Sequence, residues 1–420
     1  MNRWTVCVGI WALAAGMMAQ AQEVYRTEVF SGQVKSLQVK VAGELISAPF
    51  LELEGEAALE VSFDVLNHAQ GRFAYSVVHC NSDWTKSALM PVEYMDGFQG
   101  MPLDDYAQAM VTTTHYTNFR LELPNENMRF RISGNYALQV YHEDAPEKVL
   151  FTARFFVYES LVGIRSDVRS NTDIAFNGAY QQLSFRIDHR NMSIVYPQTD
   201  LKISVFQNGR TDNTVVGLQP SLVLDRETAY EHVPALIFEG GNEYRRVEFL
   251  THRYNGLGIE QIRYFNPYYH ADVATDRSRD RQGGYLYDED QNGRFFVNCS
   301  RCSDPDTEAD YYIVHFTYAS ERMPGGELYL LGDFVQNRFD ANSLMEYNPQ
   351  TRQYEKALLM KQGYYNYQYV FVPDGETKGS TQPAEGSYFQ TENEYTIAVY
   401  FRPTGARFDR LIGISTIISK

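Results

Sequence analysis

Three short stretches of this sequence carry residues that could do chemistry. The first is His79-Cys80-Asn81-Ser82-Asp83, with a thiol, an imidazole and a carboxylate close together. A cysteine nucleophile needs its histidine base, and the group that orients that base, within hydrogen-bond reach. Just before it, Phe73, Tyr75 and Val77 alternate with Ala74 and Ser76, which reads as a strand. A strand puts His79 and Cys80 on opposite faces, so a packed turn with hydrogen-bonded side chains is expected instead of a catalytic pair. The second stretch is Cys299-Ser300-Arg301-Cys302. A structural zinc site needs two such pairs, or one pair with two closely spaced histidines, and neither follows. A redox motif of this type should open a helix, but residues 295–298 and 303–306 read as strand end and turn. The expectation is a local disulfide between Cys299 and Cys302 or two inert thiols.

The third stretch, Asp288-Glu289-Asp290-Gln291-Asn292-Gly293, matches the start of a calcium loop. Its twelfth position should be a bidentate glutamate and is Cys299. The alternative is an Asn-Gly hairpin turn between strands at 285–287 and 294–297, and the missing ligand favours it. No nucleophile elbow, zinc-protease helix, phosphate loop or dinucleotide-binding glycine pattern occurs, and no carboxylate pair stands out. No catalytic residue, cofactor or metal is therefore assigned, and the expectation is a protein that is not an enzyme.

The elements around these residues are strands. The chain has 420 residues, too many for one core, and is rich in the strand formers Tyr (31) and Phe (25). Leu59, Val61, Phe63 and Val65 alternate with Glu60, Ser62 and Asp64, and the same period of two recurs at Leu183, Phe185 and Ile187. Clusters of Gly, Asn, Pro and Asp punctuate the strands at short intervals, as in a β-sandwich. One exception is 104–111, read as one or two helical turns. The predicted class is all-β, about three tandem immunoglobulin-like or early-set sandwiches with little helix. The divisions fall at 23–158, 159–304 and 305–420, with the strands at 395–401 and 411–418 closing the third set.

Residues 1–21 read as a cleaved signal peptide: a basic start, an apolar run over 4–18, then Ala19-Gln20-Ala21. The run is shorter than the roughly 20 residues a spanning helix needs, and no other stretch is long and apolar enough. A net charge of −16 argues against nucleic acid and anionic lipid as partners.

The run Val77-Val78-His79-Cys80-Asn81-Ser82-Asp83-Trp84, followed by Glu93-Tyr94-Met95-Asp96-Gly97-Phe98, resembles the type IX secretion system plug protein family of Bacteroidetes. Further matches follow in order over nearly the whole mature chain, among them Leu123-Pro124-Asn125-Glu126-Asn127, Phe238-Glu239-Gly240-Gly241-Asn242 and Phe408-Asp409-Arg410-Leu411. The resemblance implies a periplasmic subunit on the inner face of the outer membrane, closing the giant translocon barrel when no cargo occupies it. It implies the barrel as partner and leaves room for other translocon subunits. The aromatic loop over 84–98 is expected to touch that partner, with Trp84, Tyr94 and Phe98 as anchors, although core burial competes for Trp84. Residues 326–334, with Gly363-Tyr364-Tyr365-Asn366-Tyr367, resemble the early-set domains beside glycan-binding modules. The second expectation is thus an exported carbohydrate-binding protein using Tyr364 and Tyr367, against which residues 335–339 lack the usual tryptophan.

Overall fold

The computed structural model describes residues 23–67, 71–280 and 284–419. The expected signal peptide at 1–21 lies outside them. Among the described residues the molecule is all-β, built from sandwiches, with helices of a single turn.

The first sandwich contains β1 (Val34–Val41), β2 (Leu59–Leu66), β3 (Phe73–Cys80), β4 (Tyr106–Gln108), β5 (Tyr116–Leu123), β6 (Gly134–His142) and β7 (Ala145–Tyr158). One sheet runs β1-β2-β5-β4; the other contains β7-β6-β3. The alternating apolar residues of both meet between them: Phe63 lies 5.4 Å from Phe119 in its own sheet and 4.7 Å from Phe151 in the opposite one. The helical turns expected at 104–111 are instead the edge strand β4, paired to β5 with Tyr106 opposite Phe119. An edge strand satisfies its backbone through a neighbour rather than within itself, so local periodicity there is a weak guide.

Beyond Tyr158 the sheets cut across the division expected near residue 304. The second sandwich has β8 (Tyr180–Asp188), β9 (Leu201–Gln207) and β10 (Glu227–Tyr230). Strand β8 pairs with β10, but β9 pairs with β18 (Glu394–Phe401), which in turn pairs with β19 (Arg410–Ile418). Leu183, Phe185, Ile187, Ile203 and Val205 pack with Tyr395, Ile397, Val399 and Ile412 in one core. The strands expected to close a third set therefore complete the second. Strand patterning marks which face of a strand is apolar but not which partner covers it, so this return of the chain had no local signature.

A third sandwich is inserted between β10 and β18. It holds β11 (Arg245–Phe249), β12 (Ile259–Phe265), β13 (Tyr268–Val273), β14 (Tyr311–Ala319), β15 (Gly326–Leu331), β16 (Gln353–Lys361) and β17 (Gly363–Pro373). One sheet contains β12-β13-β14-β16, while β11 and β15 both pair with β17. Along β14 the side chains of Tyr312, Val314, Phe316 and Tyr318 are buried, while Ile313, His315 and Thr317 on the other face are half-buried. This is the period of two expected of a strand.

The chain enters and leaves this insert through two crossings that are stitched together. Asn242 Nδ2 donates to the Glu385 carbonyl at 2.8 Å, and Asn393 Nδ2 donates to the Gly240 carbonyl at 2.7 Å. Tyr388 N donates to the Gly241 carbonyl at 2.8 Å. At Gly240 a Cβ would stand 2.1 Å from the Tyr388 carbonyl oxygen, so only glycine lets the two crossings approach this closely.

Candidate interaction surface

Strand β3 delivers the stretch that carries the candidate residues. His79 points into the first core, against Tyr94, Tyr136 and Phe408, while Cys80 packs on the other side with Trp84, Phe156 and Tyr400. The two are back to back, as strand alternation requires. Burial pushes the His79 imidazole down to about 4 and the Cys80 thiol up to about 12. The first is neutral and the second protonated at neutral pH, so neither can work with the other. Asp83 is engaged within its own turn: its Oδ1 accepts from Thr85 N at 3.0 Å and from Thr85 Oγ1 at 2.6 Å. It forms a local turn rather than orienting a base.

That turn sets Trp84 at φ 66°, an uncommon conformation for a non-glycine residue. The indole is 7% exposed, held edge-on by Phe156 at 5.1 Å and capped by the Arg154 guanidinium at 4.2 Å. Trp84, Cys80 and Phe156 form one cluster with Ala398, Tyr400 and Leu411 from the second sandwich. Trp84 thus joins two domains from the inside. The neighbouring turn is fastened across the same junction: Ser82 N and Oγ donate to Asp409 Oδ2 at 2.9 and 2.7 Å. Lys202 Nζ lies 2.9 Å from Asp409 Oδ1, and these donors hold the Asp409 carboxyl below its usual range against the opposing effect of burial.

The loop then forms one helical turn, Pro91–Tyr94, with proline at its start. Glu93 Oε2 accepts from Met90 N at 2.8 Å, and the same carboxylate pairs with Arg407. Tyr94 turns inward, 4% exposed, and its hydroxyl donates to the Val77 carbonyl at 2.9 Å. Gln99 completes the clamp, accepting from Val77 N at 2.9 Å and donating to Val77 O at 2.7 Å. On the outside are Met90 (67% exposed), Val92 (69%) and Phe98 (75%).

Two of the three expected anchors are therefore inside the molecule. Trp84 and Tyr94 are support, and Phe98 is at the surface, as are Met90 and Val92 earlier in the same loop. Trp84 and Tyr94 are the largest rings of the loop, and large rings are what a core takes first. The missed signal is the Met90-Pro91-Val92-Glu93 turn: a proline start with an acid three residues after Met90 fixes which side chains face out.

The other candidates have plain structural roles. Cys299 and Cys302 form a disulfide. Asp290 accepts from Asn292 N at 2.7 Å and from Tyr244 N, and Asp288 pairs with Arg246. Residues 285–287 form no strand, so the turn at Asn292-Gly293 precedes the short strand Phe295–Val297 without closing a hairpin. Among the described residues no group of three or more His, Cys, Asp and Glu is placed to hold a metal ion. Tyr367 is buried and donates to Asp276 at 2.8 Å, which removes it as a sugar platform. Among the described residues no helix is long and apolar enough to cross a membrane.

A family model described as the type 9 secretion system plug protein first domain matches residues 34–159, the stretch that forms β1 to β7. The crystal structure of a hypothetical protein from Parabacteroides merdae is similar over 94% of this chain and 100% of its own, at 55% identity and a TM-score of 0.93. No curated protein matches significantly.

Proposed function

Since the chain belongs to the type IX secretion system plug protein family, we propose that it is a non-enzymatic periplasmic subunit closing the inner mouth of the outer-membrane translocon barrel when no cargo is present. The observation that carries this reading is the family match over the first sandwich. Met90, Val92 and Phe98 are exposed on the loop of that same sandwich, and we assign them to contact with the barrel. Apolar side chains standing on a clamped loop lose little conformational entropy on binding. The interfaces between sandwiches give a plug the stiffness it needs. Tyr400 from the second sandwich donates to Asn135 of the first at 2.8 Å, and Tyr116 of the first donates to the Ala309 carbonyl of the insert at 2.7 Å.

The test is an affinity pull-down of tagged protein from solubilised outer membranes. Recovery of a very large barrel in near-equal amount is the expected result. Repeated recovery of the protein without such a barrel would overturn the reading.

A further inference from the structure

We propose that the Cys299–Cys302 disulfide is a thiol–disulfide exchange site for a dithiol reductant, and that its redox state sets how firmly the insert docks on the first sandwich. The bridge joins residues only 3 apart in sequence, just after the short strand Phe295–Val297. Both cysteines are half-buried, while Ser300, Arg301 and Ser303 around them are exposed, so a thiol can reach the sulfurs. Accessible bridges are the ones that exchange. A ring this small removes little chain entropy from the unfolded state, so opening it leaves the rest of the fold standing. Arg301, inside the ring, sits at φ 72°, a left-handed backbone uncommon outside glycine, which an opened chain is free to leave.

The segment that leaves the bridge is one that grips the first sandwich. Two residues after Cys302, Asp304 caps the helical turn Pro305–Glu308, its side chain accepting from Asp306 N. Glu308 Oε1 folds back to accept from Asp304 N at 3.1 Å. Arg120 on β5 pairs with Asp306, and Met110 N donates to the Thr307 carbonyl at 2.9 Å. Asp310 Oδ2 accepts from Thr113 N at 2.9 Å and from Thr113 Oγ1 at 2.7 Å, and its Oδ1 accepts from Thr114 N at 3.1 Å. Within the ring, Ser300 N donates to the Leu250 carbonyl at 2.9 Å, which anchors it to the body of the insert. The disulfide thus fixes the start of the docking segment. In the exchange, a thiolate of the dithiol attacks one sulfur, and the other cysteine leaves as a thiolate that takes up a proton. The second thiol of the reductant then displaces the first cysteine from the mixed disulfide. The bridge gains two electrons and two protons, and the dithiol becomes a disulfide.

Treatment of the native full chain with dithiothreitol, followed by iodoacetamide and mass spectrometry, tests the site. Carbamidomethyl groups are expected on Cys299 and Cys302 and not on the buried Cys80. Hydrogen exchange at residues 110–120 and 303–310 should then be roughly tenfold faster than in the oxidised chain, the size expected from losing a small ring's chain entropy. Residues 395–399 of the second sandwich should not change. Cys299→Ser combined with Cys302→Ser should show the fast exchange with or without dithiothreitol, and far-UV circular dichroism verifies that it is folded. A bridge that survives dithiothreitol in the native chain, or equal exchange at 110–120 in the oxidised and reduced chains, would overturn the proposal.

Discussion

The ammonium of Lys361 lies 2.6 Å from the carboxylate of Asp64, 297 residues earlier in the chain, with both side chains buried. The pair bridges β16 of the insert and β2 of the first sandwich. Its surroundings are complete: Tyr311 donates to Asp64 Oδ2 at 2.6 Å, Asn118 donates to Oδ1 at 2.9 Å, and the Tyr116 ring lies 4.2 Å from the ammonium. Breaking one side of such a pair leaves a buried charge alone, at a cost of about 3–5 kcal/mol. Lys361→Met should therefore lower the urea midpoint sharply, and Lys361→Met combined with Asp64→Leu should recover most of the loss. Equal midpoints for Lys361→Met and the parent would show that the pair carries no such role.

His79 gives a stability signal that depends on pH. An ordinary histidine titrates near 6.5 and this one is pushed down to about 4 by burial. Between those values the unfolded chain holds a proton that the folded chain does not, so stability is lost as pH falls through that window, by about 3 kcal/mol in all. Burial raises Glu243 to about 7, and that group acts in the opposite sense, losing stability as pH rises through its own window. The His79 contribution is thus read as the difference between parent and His79→Asn. Unfolding midpoints of the two should converge as pH drops from 6.5 to 4; parallel curves would contradict the assignment.

Gly240→Ala tests the stitched crossings of the insert. The new methyl group meets a backbone oxygen rather than a flexible side chain, so the two crossings must separate. Overpacking of this kind costs roughly 1–3 kcal/mol. Thermal unfolding should show a lower midpoint, whereas Gly209→Ala, where a Cβ meets nothing within 4 Å, reports only the strain of a positive φ.

The surface and the support of the 84–98 loop should separate cleanly. Replacing Met90, Val92 and Phe98 together by serine should change stability by no more than about 0.5 kcal/mol per site, as is usual for exposed positions, and should reduce recovery of the barrel. Trp84→Ala should cost about 3–5 kcal/mol by emptying a buried site. Undiminished recovery with the triple variant would remove these residues from the interface.

Much of this molecule was legible residue by residue. Period-two runs such as 59–65 and 183–187 name their own inward faces, and alternation alone placed His79 and Cys80 back to back. What stayed hidden depends on partners distant in sequence. Nothing in 201–207 indicates that its neighbour is 394–401. Nothing in Trp84 says that the surface it would present is already covered by Leu411 and Tyr400. Edge strand β4 is hidden for the same reason, since its hydrogen bonds belong to β5.

The nested insert also sets an order of assembly. Strand β9 is separated from β18 by the whole insert, so the second sheet stays open at that edge until the two are brought together. An insert that folds first draws its own ends together through the 240–243 and 385–393 crossings, and so shortens the loop that β9 and β18 must close. The first sandwich can form early from contiguous chain, the insert next, and the second sandwich last. Until then β9 offers an unpaired edge to any strand nearby, and the insert that separates it from β18 sets how long that edge stays open.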